Sequence, residues 1–143
     1  MFTASVVFLQ KVAVLHPTKA AVLLLRRSTD DLVRPNDWDF PGGNVEWGEL
    51  HDSALRREVY EEVGLSVADY APLKVMTKFD EKANVYILHL IYTCKPTSAE
   101  VRLGGEHSEF CWFTEPELRQ VALQSMYLSL ALEALSPSLS RTD

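Results

Sequence analysis

Three glutamates near the middle of the chain ask for an explanation that folding alone does not give. Glu58, Glu61 and Glu62 stand at i, i+3 and i+4 within Leu50–Val63, a run free of glycine and proline. At about 100° per residue, a helix gathers those three positions into an arc of roughly 100°. Like charges so placed cost a few tenths of a kcal/mol per pair, and near a helix C-terminus the macrodipole works against them as well. A hard divalent cation with oxygen ligands would turn that repulsion into attraction, and Mg²⁺ is the usual fit. The competing reading is a solvated charged face, softened by Arg57, four residues before Glu61.

The elements that must carry these groups follow from pattern. Ala54, Leu55, Val59 and Val63 fall on one side at helical spacing, and Gly64 stands where a left-handed cap would end the helix. Val6–Val14 and Ala20–Leu25 are rich in Val and Leu and are predicted strands, with a turn at 16–19. Further strands are predicted at Leu73–Lys78, Val85–Cys94 and Glu109–Phe113, and a helix or helix pair at Pro116–Leu135. Strands, helix, strands, helix is the order of an α/β protein with a mixed sheet covered on both faces. The polar loop Arg27–Asp37 is long enough to suggest a functional part. Residues 1–136 are expected to form a single domain, and 137–143 a disordered tail.

Composition narrows the partners. A formal net charge of −6 is wrong for coating a nucleic-acid polymer, but not for a small anionic substrate held through a metal. No stretch reaches the roughly 20 apolar residues of a membrane span. Cys94 and Cys111 lack metal-ligand spacing and are expected to be buried free thiols, which places the protein in the cytoplasm. Trp38, Trp47, Phe79 and Tyr86 are expected to pack, with stacking on a base as the alternative. His89 is expected to be packed, and His51 and His107 exposed.

Ahead of the helix, Pro41-Gly42-Gly43 lets the backbone turn sharply and present its own carbonyl and amide groups. Gly43, then five residues, Glu49, then seven residues, lead into Arg57-Glu58-Val59-Tyr60-Glu61-Glu62-Val63-Gly64-Leu65. This resembles the Nudix box, G-x5-E-x7-R-E-U-x-E-E-x-G-U with U aliphatic, at every specified position. A match at a given start has a chance of very roughly one in a billion from average residue usage. The box covers 43–65 and the similarity continues less tightly into the flanking strands.

The resemblance implies a Nudix-type α/β/α sandwich with a mixed central sheet and the box as a loop–helix–loop. It implies a metal-dependent hydrolase of phosphoric anhydrides, using Mg²⁺ or Mn²⁺. The family's metal ligands fall here on Glu58 and Glu62, with Glu61 assisting and the Gly42 carbonyl commonly joining them. Arg57 is expected to pair with Glu49 and hold the loop on the helix. Glu58 is the first choice of base, and Glu106, in the MutT-like position before Trp112, the best candidate outside the box as base and metal ligand; Glu109 competes with it. Arg27 falls where relatives carry an arginine for the substrate phosphates, with Gly42 and Gly43 beside the phosphate chain; Arg26 could exchange roles with Arg27. Leu50 departs from the Ser or Thr that many relatives use to start the helix, with Asp52 and Ser53 as substitute caps.

For the substrate, the family's ADP-ribose marker, a proline about 16 residues after the box, is missing from FDEKA at 79–83. The dinucleoside-polyphosphate marker, a tyrosine at about 17 or 18, is replaced by Lys82 and Ala83, with Tyr86 a few residues late. Elimination leaves a nucleoside triphosphate, modified or not, cleaved to release pyrophosphate. The alternatives are a nucleotide sugar, a dinucleoside polyphosphate, or a non-catalytic nucleotide-binding module, which would usually have lost a box glutamate. Family members often pair as homodimers.

Overall fold

In the computed structural model, residues 5–121 and 125–136 are described. Alternation along the first two strands decides the layering. Strand β1 (Ser5–Val14) sends Val12 and Val14 into one core and Ala13 into another. Strand β2 (Val22–Arg27) likewise divides Leu23 and Leu25 from Val22 and Leu24. Successive strand side chains point to opposite faces, so strands apolar on both faces need cover on both. Helix α1 (His51–Val63) closes the first core with Leu55, Val59 and Val63. Helix α3 (Ser125–Leu135) closes the second with Tyr127, Leu130, Ala131 and Ala134, joined by Leu118 of the short α2 (Glu115–Leu118).

The sheet material divides into two parts. In one, β4 (Gly42–Asn44), β1, β6 (Val85–Cys94) and β5 (Tyr70–Asp80) lie in that order. β1 and β6 run parallel, and the outer strands are antiparallel to them. In the other, β3 (Trp38–Asp39), β2 and β7 (His107–Phe113) are antiparallel. A bridge between Leu15 and Val22 links the two. This is the mixed α/β architecture expected from the order of elements.

The differences have local causes. β5 is longer than its apolar run because pairing with β6 carries it from Tyr70 to Asp80, around a bulge between Pro72 and Lys74; a proline is tolerated there because β5 is an edge. β3 and β4 are too short to leave a periodic pattern. The last helical segment is two helices, α2 opening on a capping box between Thr114 and Glu117. The tail predicted at 137–143 lies outside the described residues. Cys94 and Cys111 are free, but only Cys94 is buried, its thiol pushed up to about 12 by burial; Cys111 is half-buried. Among the described residues no helix is long and apolar enough to cross a membrane.

Helix α1 ends as expected. Gly64 has φ 72° and donates its N–H to the Tyr60 carbonyl at 2.9 Å. Its start does not: Leu50 occupies the cap position, exposed and without a side-chain cap hydrogen bond. Asp52, expected as a substitute cap, instead accepts from the Tyr70 hydroxyl at 2.6 Å and pairs with Arg56. Leu50→Ser should therefore raise stability by about 1 kcal/mol, read as a higher urea midpoint at unchanged slope. An unchanged or lower midpoint would show that the first turn gains nothing from a hydroxyl cap.

Candidate active site

One arginine organises the acidic face of α1. Arg57 donates from Nε and Nη2 to the two oxygens of Glu49, at 2.7 and 2.9 Å, a two-pronged pair that fixes orientation as well as distance. Its Nη1 donates to Glu58 at 3.0 Å and Glu61 at 3.2 Å. Glu49 also accepts from the Glu46 amide, and with Arg57 that bond holds its carboxyl down to about 2. The 46–49 turn is thereby fastened to the helix, and part of the repulsion among the carboxylates is answered.

The double glycine answers a problem of space. Gly42 has φ 142°, and a β-carbon there would run into the Gln10 carbonyl of β1. A β-carbon on Gly43 would lie 2.6 Å from the Glu58 carboxyl carbon. With both side chains missing, β4 presses against α1, and the Gly42 N–H donates to Glu62 at 2.9 Å. Burial pushes the Glu62 carboxyl up to about 7, and burial also raises that of Glu58.

A second segment reaches the same face. The amides of Arg102 and Gly104 donate to the Val63 and Glu62 carbonyls, each at 2.9 Å, satisfying acceptors that a helix end leaves unpaired. Gly104 comes so close that a β-carbon would sit 2.6 Å from the Glu61 carbonyl oxygen. The turn that follows delivers Glu106. Glu58, Glu61, Glu62 and Glu106 thus line one cavity of about 190 Å³, with His107 and the two glycines before it. Among the described residues, no three acidic, His or Cys side chains are drawn into a finished cation cage; Arg57 and the Gly42 amide hold carboxylate oxygens of Glu58, Glu61 and Glu62. The donors nevertheless suit a hard divalent cation: all are carboxylate oxygens, and burial of Glu58 and Glu62 penalises negative charge that Arg57, Lys11 and the Gly42 amide offset only in part.

Beside it lies a cavity of about 470 Å³ that shares Glu62 and Glu106 but adds Lys11 and Arg27. These cations are anchored by Asp39, which is 1% exposed. Its Oδ2 meets Lys11 at 3.2 Å, Arg27 at 3.2 Å and Arg34 at 3.0 Å. Arg27 also pairs with Asp31 at 2.8 Å. Asp39 thus gathers three basic side chains, of which Lys11 and Arg27 face the cavity beside Asp30 and Asp31. Asp39, Lys11 and Arg34 were not singled out from the sequence, because no fixed spacing joins them; the faint signal was an aspartate between Trp38 and Phe40, in an otherwise apolar approach to the glycines.

Comparison with known proteins identifies the family. Residues 9–130 match the NUDIX domain family model. The chain belongs to the Nudix family. It is similar to a nucleoside triphosphatase NudI from Escherichia coli O139:H28, at 33% identity over 107 residues, covering 68% of this chain and 76% of the relative. Among solved structures, a MutT protein from Methanosarcina mazei Go1 superposes with a TM-score of 0.77 at 21% identity, covering 94% of this chain and 96% of that one. A MutT NUDIX hydrolase from Burkholderia pseudomallei gives 0.74 at 25% identity, covering 92% and 99%. The protein is accordingly a Nudix hydrolase, acting on phosphoric anhydride bonds.

Against the expectations for a Nudix chain, the structure gathers Gly42, Gly43, Glu58, Glu61, Glu62 and Glu106 at one place, with Glu49 and Arg57 behind them and Arg27 across the adjoining cavity. It separates two alternatives from the site: Glu109 is paired with Arg26 at 2.7 Å, and Arg26 lies against the Trp38 ring. His107 is half-buried, not exposed, with Nδ1 lacking a hydrogen-bond partner and burial lowering its pKa. Trp47, expected to pack, is fully exposed. Trp38 does pack, edge-on to Phe113.

Burial of Glu62 has a consequence for stability. Its folded pKa is about 7 against an ordinary 4.5. Between those values the native state binds more proton than the unfolded chain, so this group makes the metal-free protein less stable as pH rises from about 4.5 to about 7. Glu62→Gln should raise the metal-free melting temperature relative to the parent at pH 8 but not at pH 4.5. A gap that does not change with pH would contradict the buried-carboxylate account.

Proposed function

We propose that this Nudix hydrolase cleaves a nucleoside triphosphate, ordinary or modified, to the monophosphate and pyrophosphate. One observation carries the reading: a cavity walled by four carboxylates adjoins one that brings Lys11 and Arg27 in beside Asp30 and Asp31, with Glu62 and Glu106 common to both. A diphosphate with water attacking it needs that pairing of cation ligands and anion binders. The relative named as a nucleoside triphosphatase supports the choice of substrate.

Glu58, Glu61, Glu62 and Glu106, with the Gly42 carbonyl, would hold Mg²⁺ or Mn²⁺. Such an ion, when bound, neutralises charge on the anhydride oxygens and acidifies a bound water. Lys11 and Arg27 orient the phosphate chain, Arg27 with the fork geometry that suits phosphate oxygens, while Asp39 keeps both from swinging into solvent. Glu58 takes the proton as the water oxygen bonds to phosphorus and the anhydride P–O bond breaks toward pyrophosphate. One Glu58 oxygen is engaged by Arg57, which leaves the other for the proton. Glu106 is the second choice of base.

The base moiety would sit on the same sheet face. Leu9, Met76 and Ile87 wall a largely apolar cavity of about 430 Å³ together with His89. Leu9 precedes Lys11 by two residues on β1, so the two side chains share a face. His89 Nε2 is buried without a hydrogen-bond partner, and burial lowers its pKa, leaving a neutral ring able to meet a base edge.

The test is a product-resolved screen with Mg²⁺ and with Mn²⁺, over nucleoside triphosphates, modified triphosphates, dinucleoside polyphosphates and nucleotide sugars. Turnover of triphosphates with pyrophosphate released is expected; preference for another class would replace the substrate assignment. Glu58→Gln should lower kcat by about 100- to 10,000-fold, and turnover near the parent's would remove Glu58 from the role of base. His89→Leu should shift the preference among bases while leaving the anhydride step intact, seen in KM more than in kcat.

A further inference from the structure

β5 is an edge strand, and among the described residues its outer side meets no other strand. From Lys74 to Asp80 it pairs with β6 residue for residue, without a bulge. On one face this stretch presents Val75, Thr77 and Phe79, with Val75 61% and Phe79 42% exposed. Register sets these beside Leu90, Leu88 and Tyr86 of β6, so an apolar strip runs to the edge of the sheet and stops there. On the other face lie Lys74, Met76, Lys78 and Asp80. An edge of this length with exposed apolar groups is a template for another strand.

The order of residues says which strand. A two-fold axis normal to the sheet keeps every side chain on its own face and pairs β5 antiparallel with a copy of itself. With the axis at Thr77, the midpoint of the regular stretch, Val75 meets Phe79 and Lys74 meets Asp80 in both directions. Met76 then meets Lys78, and Thr77 meets Thr77. Apolar lies opposite apolar, and opposite charges face each other. Moving the axis to Met76 sets Lys74 against Lys78, and moving it to Lys78 sets that lysine against itself. Moving it two residues leaves only Val75 on itself with Lys74–Met76, or Phe79 on itself with Lys78–Asp80, in regular pairing. The lysines that would shield a monomer's edge thus also forbid the neighbouring registers.

We propose that two copies of this chain associate through β5 in that register, joining their four-stranded sheets into one continuous sheet. Such an interface is isologous, each copy giving and receiving the same contacts. Lys78 of each copy would lie opposite Met76 of the other, at the rim of the cavity assigned to the base. The association does not depend on that assignment.

Sedimentation of the full chain at micromolar concentration should give twice the 16.2 kDa chain mass. Lys74→Glu, which sets glutamate against Asp80, should weaken the dimer at least tenfold, and adding Asp80→Lys should restore it. Register is read separately by mild oxidation. Residues opposite one another in an antiparallel pair have α-carbons about 4.5–5.5 Å apart, within disulfide reach. Thr77→Cys should therefore crosslink into a covalent dimer, while Val75→Cys should not, and the parent with Cys94 and Cys111 serves as the background. A monomeric parent would overturn the proposal, as would a dimer indifferent to Lys74→Glu or crosslinking at 75 in place of 77.

Discussion

The structure turns on negative charge held where water is scarce. Glu58 and Glu62 are drawn against the β4 turn, and burial raises the cost of ionising both. A protein that needed only a helix there would have placed apolar or neutral groups at those positions. Instead it compensates the charge piecemeal: Arg57 reaches three carboxylates, and the Gly42 amide reaches a fourth. Each device leaves carboxylate oxygens available, so the site remains short of positive charge. The two glycines, the Glu49–Arg57 pair and the 102–106 segment then make sense as parts of one arrangement. They hold oxygen atoms close together against their own repulsion.

The same electrostatic economy explains how an acidic chain can receive a more acidic substrate. Overall charge sets long-range attraction, but a phosphate feels what is within a few ångströms. Asp39 concentrates three basic side chains by burying one carboxylate among them. Lys11 extends further to the Phe40 carbonyl at 3.3 Å, and Arg34 lies over the Tyr127 ring. This basic cluster is therefore tied to the core beneath it. Its groups lose little freedom on meeting a ligand, because folding has already fixed them.

Legibility in the sequence followed the range of the interactions. Helix α1 could be read almost to the residue, because Ala54, Leu55, Val59 and Val63 obey one period and Gly64 ends it locally. The carboxylate face followed from the same geometry, and the full box tied it to the loop before it. The second half of the site was less readable. Glu106 could be proposed only through resemblance, because what delivers it is Gly104 bonding to the end of α1, a contact between segments some forty residues apart. Asp39, Lys11 and Arg34 were missed for the same reason, since they meet one another and Arg27 only when β1, β2 and β3 are assembled. His107 was misjudged because a polar residue beside two glycines suggests exposure, whereas the fold turns it into the cavity wall.

Strand β1 shows why reaction and specificity are encoded so differently. Its Gln10 carbonyl abuts Gly42, Lys11 reaches Asp39, and Leu9 borders the apolar cavity two residues away. The anhydride end of this row is rigid and constrained from every side: change Gly42 or Gly43 and a side chain collides with backbone or with Glu58. The other end is walled by β5 and β6, whose side chains need only be of suitable size and polarity. A tight geometric demand leaves a fixed spacing of residue types, which a sequence displays openly. A looser demand on shape leaves none. The anhydride end is thus written in the box, while Met76, Ile87 and His89 border a cavity that exists only once the sheet has formed.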